Sequence, residues 1–325
     1  MRNTILCMLV RGGNGFVSGE EMSRTAGISR AAVWKHIESL KKDGYEIESV
    51  TKKGYRLANG PEMMETVFYR LPDDCRIGRE HVYLEEIDST STYAKKASDS
   101  MPDGAVILAD RQTAGRGRRG RQWDSAAGKG IWMSIVFKPS IQMSEAVMMT
   151  QMAGASVCDA LLRLGYEAAI KWPNDIVIGG KKVCGILAEM EGEPEGLHHV
   201  IVGIGVNVNH QEQDFPEEIR NKATSLMLVS GRTACRSDIL IEILTRLDYY
   251  YQCIAEHRTN EIIEFCRENS ATLGREVTVI SGDGSVTGKA VALTGAGGLI
   301  IEDTAGQAME IISGEVSVRG IYGYV

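Results

Sequence analysis

Four short stretches of this 325-residue chain combine residue types that do chemistry. GRGRRGRQW (115–123) sets Arg116, Arg118, Arg119 and Arg121 among three glycines, ahead of Trp123. Guanidinium groups grip carboxylates and phosphates two bonds at a time. Glycines let a backbone wrap closely, and its amides can line an anion-binding concavity. Such a run fits a nucleic-acid patch, a solvated basic loop or a cradle for one small anion. It lies between two apolar strands, in a region with 26 Lys and Arg against 37 Asp and Glu beyond residue 60. That acidic setting favours the cradle.

KWPND (171–175) offers an amine, an amide and a carboxylate on Lys171, Asn174 and Asp175. Pro173 fixes the turn, and Trp172 gives a flat apolar wall. The set suits phosphate and Mg²⁺ chemistry, with Asp175 as the metal ligand. It also fits a proline turn whose Asn and Asp only support the backbone. DSTST (88–92) places Ser89, Thr90 and Ser91 at a strand-to-helix turn, where hydroxyls cap the helix or bond a ligand. Taken alone, the cap is the better reading. GIGVN (203–207) lacks the third glycine of a dinucleotide fingerprint. Its glycines permit close approach of a ligand, with Asn207 as a polar contact.

The elements that carry these stretches form three textures. Residues 63–270 alternate apolar strands, among them GIWMSIVF and HHVIVGIGVNVN, with helices such as EAVMMTQMAGASVCDALLRLG, expected to bury one face. This is a mixed α/β layer. From 271 onward, short strands separated by Gly and Asp turns predict a small β-barrel.

Residues 1–62 differ. The first 60 carry ten Lys and Arg against six Asp and Glu, so a basic head sits on an acidic body. A helix spans about 2–11. Ser18-Gly-Glu-Glu21 has capping-box spacing and starts a second. Ser29 caps a third, whose Val33, Ile37 and Leu40 form the buried stripe. YEIESV and YRL then flank the basic tip Thr51–Gly54. Three helices and a basic hairpin make a winged helix-turn-helix, with its third helix in the major groove and its wing on the backbone. Ser29, Arg30, Lys35, Lys41, Lys52 and Lys53 are the candidate DNA contacts.

Seven scattered cysteines without a C-x-x-C pair read as buried free thiols of a reducing cytoplasm. The six histidines show no metal spacing. No stretch approaches the ~20 apolar residues of a membrane helix, and the opening apolar run is too short for a signal peptide.

G-R-G-R-R-G-R, K-W-P-N-D, K-K-V-C-G-I-L-A-E and G-I-G-V-N, in this order, resemble the biotin protein ligases. The basic head makes the chain similar to the bacterial subgroup that also represses the biotin operon. Lipoate ligases share the fold but use a different glycine-rich loop. The resemblance implies an α+β multidomain chain: a winged helix-turn-helix (1–62), a central ligase domain like that of class II aminoacyl-tRNA synthetases (63–270) and an SH3-like barrel (271–325). It implies activation of biotin by ATP and Mg²⁺ to biotinyl-5′-AMP, then transfer to a lysine of a biotin carboxyl carrier domain. The adenylate would act as corepressor on operator DNA, through a homodimer.

Carried over, Ser89, Thr90, Ser91, Gln112, Arg116, Gly117 and Arg118 contact biotin, and Lys182 holds biotin or adenylate. Trp123 stacks near adenine. Lys171 and Asp175 serve phosphates and metal, beside Asn174. Asn207 and Arg319 contact the nucleotide. Arg118, Lys171, Asp175 and Lys182 form the catalytic set. The family's Asn after Ser-Thr is replaced here by Ser91.

Overall fold

A computed structural model describes residues 1–325 apart from 61, 63, 194–195, 282–283, 313, 319–320 and 322–325. Its contacts divide the chain into two units, Met1–Asp73 and Asp74–Val325.

In the first unit, local signals set the element boundaries. Helix α1 covers Arg2–Arg11, α2 Gly19–Ala26 and α3 Arg30–Lys42. Ser18 Oγ accepts from the Glu21 amide at 3.1 Å, and Ser29 Oγ accepts from Ala32 at 3.2 Å. Each cap satisfies a donor that the first helical turn leaves open. Gly27 ends α2 in the left-handed region, at φ 65°. The hairpin pairs β1 (Glu46–Val50) with β2 (Gly54–Asn59). A bridge between Val17 and Tyr55 ties it to the entry of α2. Gly54 makes that bridge possible, because a Cβ there would lie 2.1 Å from the Val17 carbonyl. Ile5, Leu6, Leu9, Met22, Val33, Ile37 and Leu40 fill the core.

The second unit is built on a seven-stranded sheet ordered β3-β4-β5-β9-β8-β7-β6. The strands are β3 (His81–Ile87), β4 (Ala105–Gln112), β5 (Gly130–Phe137), β6 (Ala169–Lys171), β7 (Asp175–Ile178), β8 (Lys181–Glu193) and β9 (Gly196–Asn207). Only β3 and β4 run parallel. Every residue of β5 is buried, as its unbroken apolar run requires. Helix α4 (Thr90–Ala97) follows β3. Helix α5 (Val147–Arg163) contacts the sheet as well as α7 (Arg236–Ala255) and α8 (Thr259–Glu268). It is therefore buried almost all round, from Met148 to Leu161, rather than on the one face expected. A short α6 (Leu226–Ser230) lies between β9 and α7. Among the described residues no helix is long and apolar enough to cross a membrane.

A second, antiparallel sheet follows, ordered β13-β12-β11-β10-β14. It comprises β10 (Glu276–Ser281), β11 (Gly284–Leu293), β12 (Leu299–Glu302), β13 (Ala308–Ile311) and β14 (Glu315–Val318). All seven cysteines are free, and six of them are buried.

The turn between β6 and β7 joins the two sheets. Trp172 is 2% exposed. Its amide donates to Thr272 Oγ1 at 3.0 Å, and its indole Nε1 donates to the Gly297 carbonyl at 2.9 Å. The ring expected to form a ligand wall is instead plugged into the C-terminal sheet region. Gln151 Nε2 of α5 donates to the Pro173 carbonyl at 3.3 Å and steadies the same turn. Trp172→Phe removes the indole donor and leaves a buried carbonyl unsatisfied, a loss of about 1–3 kcal/mol. Denaturant unfolding should show a lower midpoint; an unchanged midpoint and slope would mean that the indole does not anchor the turn.

Candidate active site

A cavity of about 670 Å³ opens over β5, β8 and β9, beneath the 113–125 loop. One end is built from hydroxyls. Helix α4 starts where β3 stops, so Thr90 and Ser91 lie over the sheet, 2% and 6% exposed. Thr90 Oγ1 lies 2.8 Å from Ser134 Oγ, and Ser91 Oγ lies 3.0 Å from it. Gln112, at the end of β4, accepts through Oε1 from the Thr90 amide at 2.9 Å and from Thr90 Oγ1 at 3.1 Å. Its Nε2 donates to Ser125 Oγ at 2.8 Å. Ser89 belongs to the helix rather than to this network. Its Oγ accepts from the Thr92 amide at 3.4 Å, and it does not line the cavity. The capping role that the turn by itself favoured is the one its geometry shows.

The arginine loop forms the roof. Gly117 N donates to Arg121 O at 2.8 Å and Trp123 N to Gly115 O at 2.9 Å, folding the loop on itself. Gly115 is required there, since a Cβ would come 2.4 Å from the Trp123 carbonyl. Arg118 donates to Asn174 Oδ1 at 2.8 Å and to the Gly314 carbonyl at 3.0 Å. Arg119, at φ 56°, donates to the Ile280 carbonyl at 3.3 Å. These arginines thus tie the roof to the KWPND turn and the C-terminal sheet. Arg116 lies 3.3 Å from Glu189, which also pairs with Lys95 at 2.6 Å.

The opposite end gathers charge. Lys171 is 6% exposed and lines the cavity. Asp175 and Lys182 form an ion pair at 2.6 Å, which the antiparallel pairing of β7 and β8 brings together. Lys182 also sits 5.2 Å above the Trp123 ring. Asn174 Nδ2 donates to the Ile186 carbonyl at 2.9 Å, and Asn207 Nδ2 to that of Thr224 at 3.1 Å. The floor is glycine. Gly185 and Gly205 face each other across β8 and β9. A Cβ on either would lie 2.8 or 2.6 Å from the Trp123 ring. Trp123 Nε1 is buried there without a hydrogen-bond partner. Beyond it stand His210 and Phe215, stacked at 5.2 Å, with Pro216 and Ile219.

This geometry can hold an anion against cations at one end and a polar group against hydroxyls and an amide at the other, with a flat group between. Comparison with known proteins agrees. Residues 83–207 match the model of the Biotin/lipoate A/B protein ligase family, 2–56 an HTH domain and 272–319 the Biotin protein ligase C terminal domain. The bifunctional ligase/repressor BirA of Bacillus spizizenii is 37% identical over 309 residues, 94% of this chain and 95% of that protein. The chain belongs to the biotin protein ligase family. The BirA of Escherichia coli is 27% identical, over 94% of this chain and 93% of its own length. A biotin protein ligase from Aquifex aeolicus, solved with biotin and ATP, superposes with a TM-score of 0.64 at 35% identity, covering 74% of this chain and 99% of its own.

Within this ligase fold, one cavity collects Thr90, Ser91, Gln112, Arg116, Gly117, Arg118, Trp123, Lys171, Asn174, Asp175, Lys182 and Asn207. Of the residues singled out from sequence for this site, Ser89 lies off it and Arg319 falls outside the described residues. Sequence reasoning missed Ser134, the lone hydroxyl of a fully buried strand. It also missed His210 and Glu189. In the first unit Arg30, Lys35, Lys52 and Lys53 are exposed, Ser29 caps α3, and Lys41 pairs with Glu38 at 3.0 Å.

His210 gives a pH test. Burial holds its pKa down to about 4 from an ordinary 6.5, against the opposing pull of Asp214 and Asp124. The unfolded chain therefore takes up this proton first. The contribution to stability is complete above about pH 6.5 and is lost as the pH falls to about 4. His210→Phe should flatten that decline by up to ~3 kcal/mol in unfolding experiments across the window. Identical slopes for both proteins would overturn the assignment.

Proposed function

We propose that this chain activates biotin with ATP, passes it to a lysine of a carrier domain, and represses transcription through its N-terminal unit. In the first step a carboxylate oxygen of biotin attacks the α-phosphate of ATP. The bond to pyrophosphate breaks, leaving biotinyl-5′-AMP. In the second, the carrier lysine's amine attacks the acyl carbon, an amide forms, AMP leaves and the amine's proton is released.

One observation carries this reading above the others: Arg118, Lys171 and Lys182 converge on a single cavity whose far end is lined by hydroxyls and an amide. A carboxylate and a polyphosphate repel each other, so their approach needs fixed positive charge in a closed site. The glycine floor and the Trp123 Nε1, buried without a hydrogen-bond partner, fit a flat heterocycle beside them. Asp175 would hold Mg²⁺ jointly with phosphate oxygens, and the ion would neutralise charge on them. Thr90, Ser91, Gln112, Arg116 and Gly117 would seat biotin, while Asn174, Asn207 and Trp123 would serve the nucleotide. Covering the anhydride with the arginine loop would keep water from hydrolysing it.

The same reading takes 1–62, 63–270 and 271–325 as the DNA-binding, ligase and C-terminal domains. The ligase domain would be of the class II synthetase type and the last an SH3-like barrel. Operator DNA and a biotin carboxyl carrier domain are the partners, with the adenylate promoting a homodimer in the cytoplasm.

Incubating the pure chain with biotin, ATP, Mg²⁺ and a carrier domain should raise the carrier's mass by one biotinyl group. No mass shift, together with no biotin-dependent exchange of pyrophosphate into ATP, would refute the enzymatic half. Arg118→Gly removes a charge-assisted contact and unties the roof from Asn174 and Gly314. It should release adenylate roughly 10-fold faster or more, and label bystander lysines. Release at the wild-type rate would remove Arg118 from the ligand-holding set.

A further inference from the structure

The chain has four tryptophans. Trp132 and Trp172 are buried and Trp123 lines the cavity, but Trp34 is 55% exposed. It is the fifth residue of α3, whose Val33, Ile37 and Leu40 face the core at 1% exposure or less. Successive helix residues turn by about 100°, so Trp34 is carried off that stripe. Arg30 lies one turn before it, and Lys41 about two turns after it, on nearly the same row. Arg30 and Lys35 are exposed, as are Lys52 and Lys53 at the tip of the hairpin. The largest apolar side chain of this surface is thus flanked by the exposed cations Arg30 and Lys35, with Glu38 one turn after it paired to Lys41, in a unit with an excess of positive charge.

We propose that Trp34 reads sequence in DNA: its ring packs against thymine 5-methyl groups in the major groove, while the surrounding cations engage the phosphates. The inference rests on the repressor reading and extends it to a specificity-determining residue. Two features favour duplex DNA as the occupant. The cations match a polyanion, and the early turns of a recognition helix are those that meet base edges. An apolar side chain there has one apolar group to contact, the thymine methyl. Contacts from lysine and arginine to phosphate carry affinity, and with it the dependence on salt, but no sequence information.

The two kinds of contact give different signatures. A duplex is first selected from random sequence with the full-length chain, biotin, ATP and Mg²⁺. Its affinity is then measured across a salt series for the wild type, Trp34→Ala, Trp34→Met and Lys35→Ala. The measurement is repeated on the same duplex with uracil replacing thymine. Trp34→Ala should bind roughly 10- to 100-fold more weakly at every salt concentration, with the wild-type salt slope. Trp34→Met should retain part of the affinity. Lys35→Ala should lower the slope by about one. Uracil should weaken the wild type and leave Trp34→Ala unchanged, because the methyl's partner is already gone. Circular dichroism of Trp34→Ala should match the wild type, as the side chain is outside the core. If the wild type selects no duplex, the repressor reading falls and takes this inference with it. If it does select one and Trp34→Ala binds equally well, or uracil weakens both proteins alike, the assignment of Trp34 alone is overturned.

Discussion

Lys171 and Asp175 are held in fixed relation by the turn between them, and the structure pins that turn at Trp172. The indole donates into the second sheet region, the backbone amide donates to Thr272, and Gln151 donates to the next carbonyl. Asn174 continues the fixation from the other side, bonding Ile186 in β8 and accepting from Arg118 in the roof. Five residues are thereby tied to the central sheet, its covering helix, the arginine loop and the C-terminal region. Preorganised charge is effective in proportion to how little it must move. The C-terminal sheet region thereby helps to fix the positions of Lys171 and Asp175, through the amide and indole it restrains.

Cations gathered in one cavity repel one another. Here three of them have internal acceptors. Lys182 takes Asp175, Arg116 takes Glu189, and Arg118 takes an amide oxygen and a carbonyl. An entering ligand therefore exchanges contacts instead of creating them. Trp123 follows the same logic, resting on glycines whose bare backbone suits a flat ring.

How much was legible in the sequence follows from how local each signal is. Ser18 and Gly27 act within one turn of helix to start and end α2, and Ser29 starts α3 in the same way. The apolar runs of the large sheet were equally plain, since strands covered on both sides cannot alternate. The burial of α5 depends on α7 and α8, which lie about a hundred residues away, so one-face amphipathicity was the wrong expectation for it. The direction of Trp172 depends on Gly297, and no spacing rule reaches that far. A tryptophan beside a polar triplet reads as a wall until the acceptor for its N–H is known. Ser134 was hidden for a related reason: a serine in the middle of β5 gains meaning only once Thr90 and Ser91 are laid against it.

The hydroxyl chain at the closed end of the cavity has a fixed proton order. Gln112 Oε1 receives the Thr90 amide, a group that can only donate, so the orientation of the side-chain amide is set. Thr90 Oγ1 spends its single proton on that same oxygen. It can therefore only accept from Ser134, and Ser134 in turn can only accept from Ser91. Polarity runs one way along the line, from Ser91 to the glutamine. The outermost oxygen keeps its lone pairs and no hydrogen to offer. A side chain that elsewhere could play either part is thereby left an acceptor only, and the backbone amide of its neighbour Thr90 decides it.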